Sequence, residues 1–177
     1  MSEEKKVIGR VSITGSTPST DKDFYFWVVP SMLDDVVVQA FDIVEVPQVC
    51  REEDGEEFST TYGLVASSGR MSDAQSHLAN FISYNSGENL SREPNSPRQE
   101  VTTAKATVLN NDKKIFMPVE GGKPIRFVDE DGFAKALGID KIDDENRIPV
   151  GIREMSDGSS HVVFIDKDFL LGPDGNP

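Results

Sequence analysis

The run Phe24-Tyr25-Phe26-Trp27-Val28-Val29, stopped by Pro30, constrains the fold of this chain more than any other feature. Aromatic and β-branched residues fill every position, which predicts a strand. Side chains on a strand alternate, so Phe24, Phe26 and Val28 face one way while Tyr25, Trp27 and Val29 face the other. A half-exposed strand shows polar residues on one face, and this one shows none. One face is expected to line a barrel interior. The other needs cover from a helix, a second domain or another subunit, which makes Tyr25, Trp27 and Val29 the candidate interface.

The rest of the chain repeats short β patterns between turn residues. Val7–Val11 reads as a strand with Gly9 inside it, a position that suits a bulge or close backbone approach. Ser16 to Asp23 reads as a loop, Ser31 to Asp35 as a turn, and Val36–Phe41 and Ile43–Val46 as strands, the second ended by Pro47. Arg51 to Glu57 reads as an acidic loop around Gly55, and Phe58 to Ala66 as a strand with Tyr62, Leu64 and Ala66 on one face. Ser72 and Gln75 fit a capping box, followed by an apolar stripe of Ala74, Leu78, Phe81 and Ile82, so a helix is expected there. Asn85 to Pro97 reads as an exposed loop, and Val101 to Leu109 as a strand.

Ile115–Val119 and Pro124–Val128 flank Glu120-Gly121-Gly122-Lys123, a hairpin pattern. Asp129 caps a helix over Glu130–Leu137 that Gly138 stops. Ile148–Ile152 and His161–Ile165 pair across a turn near Asp157-Gly158. Many short strands and two modest helices predict a mainly β fold: a small antiparallel β-barrel with two short helical insertions.

Composition narrows the function. The 177 residues carry a net charge of −13. Such a surface repels phosphate backbones, and Arg92, Arg98, Arg126 and Arg153 are scattered. No apolar run reaches the roughly eighteen residues that span a bilayer, and Met1–Lys6 lacks a secretory apolar stretch. With Cys50 the single cysteine, the expected setting is a soluble protein of the cytoplasm, without a membrane partner.

Catalytic patterns are missing. Gly121-Gly122-Lys123-Pro124 lacks the spacing and the Ser/Thr of a phosphate loop. Asp129-Glu130-Asp131-Gly132 misplaces the glycine of a calcium loop and better suits a helix N-terminus. Two histidines and one cysteine do not make a usual zinc site. Cys50 could pair with His77 or His161 as a nucleophile, but its acidic neighbours disfavour the thiolate. The chain is expected to be no enzyme, with no catalytic, cofactor or metal residues.

The order of the segments resembles the HAS-barrel that begins HerA-like ATPases. The matching elements are Ile8-Gly9-Arg10-Val11, Asp42–Val46, Tyr62-Gly63-Leu64-Val65, the helix start at Ser72, the turn from Pro118-Val119 to Gly121 and Ala136-Leu137-Gly138. The endings Ile148–Ile152 and Phe169–Pro173 continue the resemblance, which spans essentially the whole chain. It implies a barrel over residues 1–168 and, from 169 to 177, the start of a lead-in to a RecA-like motor. No ATP-binding residue carries over, because the sequence stops at Pro177 before any phosphate loop.

The implied parent is a hexameric DNA translocase or helicase that uses ATP and Mg. Its barrel would support the homo-oligomeric ring and dock a nuclease or other effector, and its motor would hold DNA. DNA repair, segregation and phage defence all remain compatible roles. The alternative is a stand-alone OB-like module for single-stranded nucleic acid or a protein partner, with Tyr25 and Trp27 stacking bases although Asp21, Asp23, Asp34 and Asp35 flank them. A small hydrolase using dispersed carboxylates is the third option.

Overall fold

The computed structural model describes residues 5–28, 37–52, 55–72 and 100–172, with the backbone alone for 50–52, 55–57 and 72. Six strands close an antiparallel barrel: β1 (Val7–Ser12), β2 (Asp23–Val28), β3 (Ile43–Glu52), β4 (Gly55–Ser72), β5 (Glu100–Asn111) and β6 (Pro124–Phe127). Around the barrel the order is β1-β2-β5-β4-β3-β6. Helix α1 (Glu130–Leu137) follows β6, then two single 3₁₀ turns, a two-stranded sheet of β7 (Arg147–Glu154) and β8 (Ser160–Asp166), and the short helix α2 (Lys167–Leu171). The mainly β barrel expected from the sequence is therefore the observed architecture.

The alternation on β2 decides the interior. Phe24, Phe26 and Val28 are buried in the barrel with Ile8, Val11, Val44, Val46, Val65 and Ile125. Small residues make room for the two rings, since Phe24 lies opposite Ala106 and Phe26 opposite Ala104 on β5. At Gly63 a Cβ would approach the Phe24 ring to 2.8 Å, and at Gly9 it would collide with the Trp27 carbonyl oxygen. Gly9 also follows the register shift where β1 meets β6. A six-stranded barrel is filled by its own side chains, and these contacts show how.

A second core lies outside the barrel wall. Ile43 on β3 and Tyr62 on β4 pack with Val128, Phe133, Ala136, Ile139 and Met155. The α1 boundaries follow the expected chemistry: Asp129 Oδ1 accepts from the Gly132 amide at 2.9 Å, and Gly138 leaves the helix at φ 74°. Helix α1 thus covers one side of the barrel, over β3, β4 and the end of β5, where Asn110 Nδ2 donates to the Lys135 carbonyl at 2.7 Å, rather than over the Tyr25–Trp27 face.

Several local expectations need correction. Within Val36–Phe41, residues 37–39 are irregular and 40–41 turn, because the Asp42 carboxylate accepts from the Gln39 amide at 2.8 Å and Phe41 takes a left-handed φ of 74°. Pro47 does not end β3. It sits opposite Thr60, whose own amide and carbonyl bond to Asp112 (2.8 and 3.1 Å), so this pair exchanges no ladder hydrogen bonds and the missing N–H is harmless.

The acidic stretch 51–57 is mostly ladder, with Arg51 opposite Glu56 and Glu52 opposite Gly55. A register shift between Val65 and Ser67 breaks the face proposed for Tyr62, Leu64 and Ala66, leaving Ala66 exposed. Ile115–Val119 is irregular: Asn111 Oδ1 accepts from the Lys113 and Ile115 amides (2.9 and 3.1 Å) and turns the chain. The Gly121-Gly122 turn docks on β1 instead of closing a hairpin, through Gly122 N to Val11 O (2.8 Å) and Val11 N to Lys123 O (2.9 Å). Ser72 ends β4, and the remainder of the helix expected after it, with the loop 85–97, lies outside the described residues.

Candidate interaction surfaces

The outer face of β2 carries two of the three residues singled out in the sequence, Tyr25 and Trp27, both half-buried; Val29 lies outside the described residues. Register sets their neighbours. Tyr25 stands opposite Ser12 on β1 and Lys105 on β5, and Trp27 opposite Arg10 and Thr103. Lys105 Nζ lies 5.9 Å from the centre of the Tyr25 ring and 3.2 Å from Asp23 Oδ2. Arg10 donates to the Gly122 carbonyl at 3.0 Å. Two cations therefore flank two aromatic rings, a setting for cation–π contact. Arg10 and Lys105 were missed in the sequence because no local pattern links them to β2; only the barrel register does.

A second surface surrounds the β7–β8 hairpin. The inner side packs on α1, where His161 stacks on Phe133 with ring centres 4.5 Å apart. On the outside, Ile152 lies opposite Val162, and both are exposed. Helix α2 follows, with Phe169 86% and Leu170 51% exposed. The helix is held in place, since Asp166 Oδ1 accepts from the Asp168 amide at 2.9 Å and Asn146 Nδ2 donates to Asp168 Oδ2 at 2.8 Å. Phe169 is thus an apolar side chain presented to water by an ordered element.

Between barrel and hairpin turn lies a cleft of about 530 Å³, lined by Lys5, Lys6, Ile8, Val37, Phe127, Val128, Asp129, Ser156, Asp157 and Ser159. At its edge Lys5 bridges Glu45 (2.7 Å) and the helix cap Asp129 (3.1 Å). Burial opposes the charge on Lys5, but its bonds to the two carboxylates outweigh that and raise its pKa. Burial likewise opposes the Asp129 charge; the Gly132 amide and Lys5 overcome it and lower its pKa.

The bridge's stabilisation therefore fails on the acid side as pH falls below Asp129's ordinary 3.8, and on the alkaline side as pH rises past Lys5's ordinary 10.5. Lys5→Met is expected to cost about 1–2 kcal/mol. Urea melts of both proteins should show a constant gap between about pH 5 and 9 that narrows outside this window. A gap that varied through neutral pH would point to a different titrating group.

The polar groups beside the cleft are hydrogen-bonded to one another. Ser159 Oγ lies 2.6 Å from Asp157 Oδ1 and 3.1 Å from His161 Nε2. The shorter bond takes the hydroxyl proton to the carboxylate, so the imidazole donates to Ser159 rather than accepting from it. A serine nucleophile needs the reverse order. The buried Gln48, Ser59, Thr61 and Asn111 close one end of the barrel and bond to one another, with Asn111 Nδ2 3.0 Å from Thr61 Oγ1. Among the described residues no group of His, Cys, Asp or Glu is placed to hold a metal ion. Cys50 lies in β3 and His161 in β8, while His77 falls outside the described residues. Nor is any described helix long and apolar enough to cross a membrane.

Fold and surfaces together define a closed six-stranded antiparallel barrel with an appended helix and hairpin, presenting an aromatic–cationic face and an apolar helix tip. No protein-family model matches the chain, and a search of curated proteins returns no significant match.

Proposed function

We propose that this chain is the non-catalytic N-terminal barrel of a HerA-like hexameric DNA-translocating ATPase, acting in the cytoplasm. In this reading it supports ring assembly and docks a nuclease or other effector, while ATP, Mg and DNA belong to a motor that follows it. The observation that carries the reading is the closed antiparallel barrel with ordered apolar and aromatic side chains left on its outside. Such features mark assembly surfaces better than they mark a self-contained enzyme.

The test is to read the native gene past residue 177 and assay the protein it encodes. A glycine-rich loop ending Gly-Lys-Ser/Thr, with ATP hydrolysis by a hexamer, supports the reading; a stop codon there sinks it. In that hexamer, Trp27→Glu is expected to weaken assembly at least about tenfold by sedimentation. The melting temperature of this barrel should hardly change, because Trp27 points away from the interior.

Arg10 and Lys105 beside Trp27 and Tyr25 give the second reading, an OB-like module for single-stranded nucleic acid, its specific support. Trp27 is the single tryptophan, so its fluorescence reports directly on this face. The net charge of −13 leads us to expect no quenching by a thymidine 20-mer up to about 100 μM at physiological salt. Saturable quenching at low micromolar concentrations would transfer the proposal to nucleic-acid binding.

A further inference from the structure

We propose that the buried polar layer at one end of the barrel is a register lock, which holds β4 against β5 in one of several alignments that the apolar pattern alone would accept. The layer is Gln48 on β3, Ser59 and Thr61 on β4, and Asn111 on β5, each at most 2% exposed. Thr61 Oγ1 is its centre, accepting from Gln48 Nε2 at 2.5 Å and from Asn111 Nδ2 at 3.0 Å. Asn111 Nδ2 also donates to Ser59 Oγ at 3.3 Å. Stability does not account for this layer. Gln48 Oε1 is buried without a hydrogen-bond partner, and an incompletely paired polar cluster is worse than an apolar core of the same shape.

The need for a lock lies in the connections. β3 and β4 are joined through residues 53–54 alone, with Glu52 opposite Gly55, so a tight turn fixes their register. β4 and β5 are separated in sequence by residues 73–99, too long a connection to fix theirs. A one-residue slip between them would turn every side chain to the wrong face, but a two-residue slip keeps the alternation. Backbone partners recur along a strand with that same period, so the bonds of Asp112 to the Thr60 amide and carbonyl would form again on Phe58 or Tyr62. The hydroxyls do not recur. A two-residue slip sets Asn111 opposite Gly63 or Ser59 instead of Thr61, and either way one of its two hydroxyl partners is lost.

The lock has a consequence on the outside of the barrel. The same register places Ser67 and Gly69 of β4 opposite Lys105 and Thr103, the β5 neighbours of Tyr25 and Trp27. A slipped β4 would rebuild the surface beside the aromatic pair. The competing device is the fit of the Phe24 ring over Gly63, which also favours one alignment. An apolar fit of that kind is graded, since cores repack around altered volumes, whereas a buried amide that loses its partner has no such recourse.

Disulfide trapping reads the register directly, in a Cys50→Ser background that removes the native thiol. Gly69→Cys with Thr103→Cys reports the native alignment, and Gly69→Cys with Val101→Cys or with Lys105→Cys reports a slip of two residues either way. Gly69 suits this, because a Cβ there meets nothing within 4 Å. Directly opposite positions bridge readily and diagonal ones lie too far apart, so the native pair is expected to oxidise at least about tenfold faster than either slipped pair. In Gln48→Met/Ser59→Ala/Thr61→Val, Asn111 keeps its bonds to the Lys113 and Ile115 amides but has no hydroxyl partner in any register. The rate ratio should then fall at least about fivefold. Where that variant does not melt cooperatively, Thr61→Val alone carries the test, with a fall of at least about twofold. Ile125→Ala, which lowers stability from β6 and outside the layer, should leave the ratio unchanged. A ratio that holds in the folded layer variants overturns the lock and assigns the register to Phe24 and Gly63. A ratio that falls as far in Ile125→Ala overturns it too, since the preference would then follow overall stability.

Discussion

Truncating Phe24 to alanine is expected to destabilise the barrel by about 3–5 kcal/mol, measured as the shift in the urea midpoint at unchanged slope. The ring is fully buried, and its neighbours are committed to it from three strands. Phe26 tilts against it at 6.3 Å between ring centres, Ala106 stands opposite on β5, and Gly63 on β4 leaves the space that the ring edge fills. The complementary test is Gly63→Ala, whose added methyl would sit 2.8 Å from two Phe24 ring carbons and 3.2 Å from the Ala106 methyl. We expect that overpacking to cost about 1–3 kcal/mol, since neither neighbour can swing into solvent.

Combining Gly63→Ala with Phe24→Leu should recover part of the loss, because the shorter side chain vacates the contested volume. Simple additivity of the two single effects would mean that the ring and the glycine do not share this space. Tyr25→Ala, on the other face of the same strand, should cost clearly less than Phe24→Ala. Equal losses would place both faces of β2 in the barrel's own core.

Alternation made the β2 interior legible, since Phe24, Phe26 and Val28 follow the period of the strand and nothing else in the neighbourhood competes with it. Helix α1 was legible for a similar reason: cap, first-turn acids and terminal glycine are all local. The errors fell where a distant partner decides the backbone. Val36–Phe41 has strand composition, but residues 40–41 turn because Asp42 captures the Gln39 amide and Phe41 reaches across to the Val65 carbonyl at 2.7 Å. Pro47 looks like a terminator until Thr60 is seen to bond elsewhere. Ile115–Val119 looks like a strand, yet Asn111 bends it and sends Val119 into the barrel.

The candidate surfaces divide in the same way. Excess apolar character on β2 flagged Tyr25 and Trp27, because it is a property of one segment. The cations beside them come from β1 and β5 and required the closed register. Within the chain, cover on both faces is seen on β3 and β4, where α1 covers Ile43 and Tyr62. Alternation reveals that a strand has two apolar faces, but not which element covers the outer one. The cleft was invisible for a further reason: its wall joins residues from the start of the chain to the turn of the last hairpin.

Asp42→Ala is expected to be the most damaging polar substitution, at about 2–4 kcal/mol, with its effect concentrated on the β7–β8 hairpin. Asp42 is 1% exposed, and its carboxylate accepts from the Gln39 amide at 2.8 Å and from the Ser156 amide at 3.1 Å. The first bond holds the turn before β3. The second ties the hairpin, 114 residues away in sequence, to the barrel. Alanine would leave both amides facing a small void, and each would lose a bond to a charged acceptor. A two-stranded sheet is marginal on its own, so the hairpin depends on this tether and on the stacking of His161 over Phe133.

Hydrogen exchange separates local from global loss. In Asp42→Ala the amides of Ser156 and of β7 and β8 should exchange at least about tenfold faster, while Phe26 and Ala104, deep in the barrel, speed up only as far as global stability is lost. Asp42→Asn keeps one acceptor oxygen but turns an NH₂ toward the other amide, so its loss should fall between wild type and alanine. If alanine slackened barrel and hairpin equally, the two sheets would unfold as one unit and Asp42 would be an ordinary core residue. If neither moved, the Ser156 bond would contribute nothing, and the cleft that it shapes would need another support.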